Sequence, residues 1–395
     1  MIHQIVGSPI NPSEAFAITS NYGVLKSENE GVTWFPVDRG IRSFTHHSLA
    51  ITATRPPRLY IGGWGGGVSK SIDDGASWTE MNDGLGNTAV DAVVVDPGTP
   101  DRLYLATSVH FFRTDENDGK WVLYEEGLPS FPDEIKFKSL LLIQGQIKVL
   151  WLGTSRGLFY RIVDAPHWNE EDKFRNIRVS ALTQDEQRHR LWVGTLGQGL
   201  FVRGEQERDW TFIEIGKASW INQIVLDPSD SQILYVATRG KGIFKSTDGG
   251  QTWNQTNSGL EDLDIRSLAV HPLNRSLLLA GTTSKGIFRS SDAGAHWRRT
   301  QPLPALKMTQ IIGMLTTTSP ALTRLSVPDA FAKCNACHGW TDPNLNQKVT
   351  YWRVTPNRRD WVETVGRMSQ RARLTSDEVS TILNFLTSYS RSLLE

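Results

Sequence analysis

The sequence predicts a mainly β protein, a seven-bladed β-propeller with a small all-α domain at its C-terminus. Three observations predict it. Tryptophan recurs at Trp34, Trp78, Trp121, Trp168, Trp210, Trp253 and Trp297, at steps of 44, 43, 47, 42, 43 and 44 residues. Each step holds four short apolar runs divided by turn residues, and four strands in about 43 residues is the period of a propeller blade. After Trp297 the period stops and helical spacing begins. The expected organisation is a propeller over residues 1–301, a linker over 302–321 and a helical domain over 322–395.

Composition is compatible with that plan. The 395 residues are 39% hydrophobic with a mean hydropathy of −0.33, so the chain can bury cores and is not a disordered polymer. Lys plus Arg and Asp plus Glu are 42 each, which argues against a wholly basic surface and a nucleic-acid partner. No apolar run is long enough for a transmembrane helix. The segment from Met1 to Pro9 lacks the charged start and apolar stretch of a signal peptide. Two cysteines cannot build a disulfide framework.

Taken in order, the repeats share one grammar. The first runs from Phe16 to Trp34 and holds Ser27-Glu-Asn-Glu-Gly-Val-Thr-Trp34. The second has Leu59-Tyr-Ile-Gly-Gly63, Val68-Ser-Lys-Ser71 and Asp73-Asp-Gly-Ala-Ser-Trp78. Leu103 to Trp121, Leu150 to Trp168 and Leu191 to Trp210 keep the strand pair and the Trp but lose the turn. Leu234-Tyr-Val-Ala-Thr238 leads to Gly242-Ile-Phe-Lys-Ser246 and Trp253, and Leu279-Ala-Gly-Thr282 leads to Gly286-Ile-Phe-Arg-Ser290 and Trp297. An apolar run such as Gln223-Ile-Val-Leu226 supplies the first strand, and the segment starting at Trp the fourth. The chain enters and leaves at repeat boundaries, so each blade is expected from one continuous segment, with no shared strand closing the ring.

The turn Ser-x-Asp-x-Gly-x-x-Trp resembles the Asp-box of BNR or sialidase-like propellers. Intact copies begin at Ser71, Ser246 and Ser290, and the first repeat has Asn29 in place of Asp. The Asp is expected to accept backbone N–H bonds, the Gly to take positive φ, and the Trp to pack over the turn. The resemblance implies a fold, not an activity: sialidase chemistry needs an arginine cluster, a tyrosine nucleophile and acids in a six-bladed ring, and no such set stands out. The repeat is also similar to the seven-bladed photosystem II assembly factors.

Loops joining second and third strands should share one face, opposite the Asp-box turns. They hold Asn21-Tyr22, Trp64, His110, Arg156, Gln198, Arg239 with Lys241, and Lys285. An exposed Trp64 suits a partner interface; packing against its neighbours is the alternative. His3, His46, His47, His110, His167, His189, His271 and His296 occupy unequal strand positions and read as scattered surface or core residues. They do not match the histidine-rich copper cluster of nitrous oxide reductase, another seven-bladed propeller.

From Pro302 to Leu325 the linker carries Leu303, Leu306, Ile311, Ile312 and Leu315, so it is expected to pack rather than flex. Met308-Thr-Gln-Ile-Ile312 echoes the first strands at Ile2 and Ile221, and strand and coil both remain open for it. Beyond it, Ser326-Val-Pro-Asp329 is a helix start. Trp361, Val365 and Met368 share a helical face, and Thr375-Ser-Asp-Glu378 is a capping box opening a last helix with Val379, Ile382, Leu383 and Leu386 inward.

Both cysteines fall in Cys334-Asn-Ala-Cys337-His338. This is the attachment signature for one covalent haem c: Cys334 and Cys337 form thioethers, and His338 is the proximal iron ligand. A redox disulfide would want a βαβ setting, and a zinc site four ligands; neither is present in the sequence pattern. Residues 322–395 resemble the single-haem cytochrome c domains and subunits of bacterial periplasmic dehydrogenases. That resemblance implies Met368 as the distal iron ligand, with ordinary helix core as its alternative role. It also implies haem-pocket packing for Trp340, Tyr351, Trp352 and Trp361. Met308 and Met314 precede the domain and fit less well.

Residues 298–395 hold 13 Lys or Arg against 7 Asp or Glu, a surplus of six, which the propeller balances. Much of it lies in Arg353, Arg358, Arg359, Arg367, Arg371 and Arg373, either a solvated face offsetting the haem propionates or a rim that steers an acidic redox partner. Covalent haem implies a periplasmic or other extracytoplasmic protein, whose leader lies outside this numbering. The expected function is electron transfer: the haem relays single electrons while the propeller docks it to redox partners in a multi-subunit complex. Membrane association is expected only through those partners or an unseen anchor. The alternatives are a propeller-based periplasmic oxidoreductase feeding its own haem, and an assembly or scaffold factor.

Overall fold

Seven four-stranded antiparallel sheets follow one another along the chain, each a meander of four consecutive strands. The computed structural model describes residues 1–20, 23–41, 46–86, 88–114, 119–129 and 137–301. The expected linker and helical domain, with Cys334, Cys337, His338 and Met368, the Met308–Ile312 segment and the Asn21-Tyr22 loop lie outside the described residues. First strands run Ile2–Gly7, His46–Ile51, Val90–Asp96, Phe137–Ile143, Val179–Asp185, Ile221–Leu226 and Ile265–Val270. They pack on one another round the ring, blade 7 against blade 1, so the propeller is seven-bladed and no blade borrows a strand.

Burial explains why each run is a strand. Second strands such as Ala15–Thr19, Leu59–Gly63 and Leu234–Thr238 are buried at every residue, so they read as continuous apolar runs. Outer strands such as Phe35–Pro36, Thr79–Glu80 and Asn254–Gln255 are two exposed residues long, which limits edge-to-edge pairing. The apolar residues form seven clusters, one for each blade interface.

In most blades the outer strand begins one residue after Trp rather than at it, a small correction to the sequence reading. In four blades the Trp is bonded to the preceding blade: Trp78 donates its backbone N–H to Arg39 O and its indole N–H to Val37 O, Trp121, Trp168 and Trp297 do likewise, whereas Trp34 and Trp253 give their indole N–H to their own turns, at Gly31 O and Gly250 O.

The Asp-box is a bonded turn that also latches blades together. Ser71 Oγ donates to Asp73 Oδ1 at 2.8 Å and accepts from Gly75 N at 2.9 Å, while Asp73 Oδ1 accepts from Ser77 N at 2.9 Å. Asn29 reproduces this, accepting from Thr33 N at 2.9 Å. Sequence reading assigned positive φ to the glycine alone, but the residue before it is left-handed too: Glu30 at 57°, Asp74 at 59° and Ala293 at 56°. That geometry turns these residues toward the previous blade, whose third strand sends a cation across. Lys26 Nζ reaches Asp74 Oδ2 at 2.6 Å, Lys245 Nζ reaches Ala293 O at 2.9 Å, and Arg289 reaches Glu30 O at 3.0 Å and Oε2 at 3.1 Å. Burial alone would lower the Lys26 ammonium, but its bonds to Asp74, Glu28 and Glu14 raise it. Lys70 faces blade 3, where the box has decayed, and there burial and then Arg58 pull the ammonium down.

Candidate functional site

A one-residue bulge interrupts the pairing of first and second strands at the same place in every blade. Bulges turn a side chain out of the ladder, and these do so at the end of the ring bearing the second–third loops. The bulged residues include His3, His47, Asp91, Ser180, Asn222 and Arg266, each half-buried. Just after the bulge in four of the seven blades, a polar side chain ties the next blade: Gln4 accepts from Leu49 N at 2.8 Å, Ser48 from Val93 N at 2.9 Å, Gln223 from Leu268 N at 2.7 Å and Ser267 from Ile5 N at 2.8 Å.

The bulged residues and their loop neighbours form an arc through blades 3, 2, 1, 7, 6 and 5. Trp64 donates its indole N–H to Asp91 Oδ1 at 3.0 Å and packs 4.8 Å from the His47 ring. His47 meets His3 edge to face at 4.6 Å, and His3 Nε2 lies 2.7 Å from Ser20 Oγ. Burial first, then the charges of His47, the Met1 amine and Arg266, hold the His3 imidazole neutral down to about pH 3. Arg266 bonds Thr283 Oγ1 at 2.9 Å and Asp264 Oδ2 at 3.2 Å, and Asp264 lies 4.0 Å from Arg239 Nε. Arg239 and Arg178 then share one indole, their Cζ atoms 5.0 and 5.3 Å from the Trp220 ring centre.

Four apolar residues described on this face are exposed: Trp64 at 43%, Val109 and Met1 at 41% and Leu263 at 40%. The second–third loops also carry His110, bonded to Glu125 at 3.0 Å, with Arg156, Gln198, Lys241 and Lys285, as the sequence placed them. Trp64 combines both readings of it, packed on His47 and exposed. The histidine reading needs correction at two positions: His3 and His47 are not unequal but occupy the same bulge of neighbouring blades, which brings their rings together. Sequence reasoning also missed Asp91, Asn222, Arg266, Arg178, Trp220 and Asp264. A signal existed, since His3, His47, Asn222 and Arg266 each precede their blade's Trp by 31 residues. Among the described residues no three His, Cys, Asp or Glu side chains converge to hold a metal ion. An array of half-exposed rings, cations and apolar tips has the chemistry of a protein-binding surface.

No protein-family model matches the chain. No curated protein sequence is similar to it. Solved structures share the propeller. A GH74 enzyme from Niastella koreensis superposes with a TM-score of 0.64 at 17% identity, over 76% of this chain and 54% of that one. YCF48 from Cyanidioschyzon merolae superposes with a TM-score of 0.55 at 16% identity, over 73% of this chain and 94% of that one. YCF48 bound to a D1 peptide gives 0.55 at 14% identity, over 73% and 92%. This chain thus spans about half of the GH74 enzyme and nearly all of YCF48. At these identities the likeness establishes the fold and nothing finer.

Proposed function

We propose that this protein is a docking scaffold whose propeller holds a partner protein on its second–third loop face and whose C-terminal region carries a c-type haem to the assembly. The arc supports the docking half. Exposed Trp64, Val109 and Leu263 stand among cations on that face, whereas the polar groups of the opposite Asp-box turns are engaged within the turns and between blades. YCF48, with the same fold, has been seen with a peptide bound, which favours recognition of a polypeptide by such a ring.

Cys334-Asn-Ala-Cys337-His338 supports the haem half. Cys334 and Cys337 would hold the porphyrin and His338 and Met368 the iron, and the group supplies one-electron transfer when bound. The partners would then be redox proteins of a larger complex outside the cytoplasmic membrane.

Two measurements test the two halves separately. Affinity capture from the native host should recover one recurring partner with the intact chain and lose it with Trp64→Ala/Leu263→Asp, at unchanged Tm. Retention by that variant, with loss in Ile72→Asp/Leu273→Asp on the Asp-box face, would sink the docking assignment. A pyridine haemochrome spectrum with intact mass, on protein made with a c-type maturation system, should give one covalent haem; its absence would leave a scaffold without a redox role.

A further inference from the structure

We infer that Arg178, Trp220 and Arg239 form a carboxylate-binding subsite for an acidic, extended segment of the docked partner, an inference that rests on the docking reading above. Three backbone positions create it, the first two equivalent. Arg178 and Trp220 are the residues just before the first strands of blades 5 and 6, and Arg239 opens the second–third loop of blade 6. Leu196 N–H bonds Arg178 O at 2.8 Å and Arg239 N–H bonds Trp220 O at 3.0 Å, so main-chain bonds fix all three anchors whatever their side chains.

The side-chain chemistry then selects the ligand. Both guanidiniums lie against one indole, their Cζ atoms 5.3 and 5.0 Å from its ring centre, which puts the two charges within about 10 Å of each other. The indole ring accepts none of the in-plane N–H bonds through which a guanidinium holds a carboxylate in two parallel bonds. Arg178 is exposed, and among the described residues no carboxylate lies within 4.0 Å of it. Arg239 is 52% exposed, and its one acidic neighbour, Asp264, is 4.0 Å away and is held by Arg266 at 3.2 Å. The exposed Lys241 lies in the same loop, and Leu263, whose carbonyl bonds Gly240 and Gly242 N–H, adds an apolar contact beside it. Two pre-oriented cations, a third in reserve and an apolar neighbour match side-chain carboxylates spaced along an extended peptide.

The probe is a fluorescein-labelled, acetylated and amidated hexapeptide of alternating Glu and Leu, titrated by anisotropy into the full chain, with its Gln-for-Glu counterpart as reference. The Glu peptide should bind saturably and the Gln peptide at least tenfold more weakly. Arg178→Gln and Arg239→Gln should each weaken binding by about tenfold, the worth of one charge-assisted pair. Trp220→Leu should weaken it while leaving every charge in place. Arg299→Gln, on the exposed outer strand of blade 7, should change nothing. Equal binding of the two peptides, absence of saturable binding, or an Arg299→Gln effect equal to that of Arg178→Gln would each overturn the subsite. Partner capture that persists alongside such a failure leaves the docking reading standing, whereas loss of partner capture with peptide binding intact removes the reading and not the subsite.

Discussion

Among the described residues, the blade 7 to blade 1 interface is the one that no connecting segment crosses, so packing must hold it shut together with the Ser267–Ile5 and Arg289–Glu30 bonds. Gly281, in the second strand of blade 7, lies under Ile2 of blade 1. A Cβ on Gly281 would sit 2.5 Å from Ile2 Cγ2 and 2.9 Å from Ile2 Cβ. Ile2 is 2% exposed and β-branched, hence stiff at χ1, so it has no room to turn aside. Gly281 does not need positive φ, so the cost of a side chain there is steric. Overpacking of this kind costs about 1–3 kcal/mol, and Gly281→Val belongs at the upper end. For a unit of this size 1 kcal/mol moves Tm by about 2 °C, so Gly281→Val should lower Tm by about 4–6 °C. Ile2→Ala alone opens a cavity worth about 2–4 kcal/mol. Combined, the valine fills that cavity, so the double variant should fall short of additivity by at least about 1 kcal/mol. Urea and thermal unfolding of the four proteins make the measurement, with Gly86→Ala as control because no atom lies within 4 Å of its Cβ position. A Gly281→Val Tm within 1 °C of the control, or additivity within about 0.5 kcal/mol, would refute the packing account of closure.

Other outcomes follow from the same contacts. Ser267→Ala removes the acceptor of Ile5 N–H at a fully buried position, so urea unfolding should show a loss of about 1–3 kcal/mol and the Ile5 amide should exchange faster. Asp248 is held at about 2, chiefly by the Thr252 hydroxyl and then its N–H, so it contributes stability above its ordinary pKa that is lost as pH falls from about 4 toward 2. Asp248→Asn keeps the turn that Asn29 makes in its own box but lacks the charge, so it should be less stable than the parent at pH 7 and show a flatter Tm profile between pH 4 and 2; an unchanged slope would contradict this. His3 stays neutral down to about 3, whereas an unfolded imidazole takes its proton near 6.5, so stability should decline as pH falls from 6.5 toward 3. His3→Gln should remove that decline, and nitrogen chemical shifts should show a neutral His3 ring at pH 5.

Repetition made the fold legible. A lone Leu-Tyr-Val-Ala run cannot be told from a helix segment, but seven of them at one spacing from a Trp can. Blades 3 to 5 could be placed without an intact box because Trp121, Trp168 and Trp210 remain, and all three are buried. The Cys334-Asn-Ala-Cys337-His338 motif stands out for a different reason: its residues are contiguous in the sequence, and the haem proposed for it rests on the sequence alone. The arc was not legible because each blade contributes one or two residues of unlike type, and a one-residue bulge leaves no mark in composition. The latches were hidden as well. Lys26 and Asp74 are 48 positions apart, and Arg289 and Glu30 are 259 apart, in turns whose left-handed first residue need not be glycine.

The second–third loops show how a repeat frees positions for function. Six second strands end in Thr, at Thr19, Thr107, Thr154, Thr195, Thr238 and Thr282, and each sends its hydroxyl to a carbonyl three or four residues on. That bond closes the base of the loop, and each of these threonines is almost fully buried. Once the base is closed, the fold asks nothing of the tip, so His110, Arg156, Gln198, Arg239 and Lys285 can differ without cost to the blade. Blade 2 departs from the rule: Gly63 replaces the Thr, and Trp64 is fixed instead by His47 and Asp91 of the bulges. A ring of rigid bases with unlike tips is a preorganised surface, which loses little conformational entropy on binding. Unlike tips and bulges on one face, set against boxes that repeat at Ser27, Ser71, Ser246 and Ser290 on the other, are the ground on which the docking proposal rests.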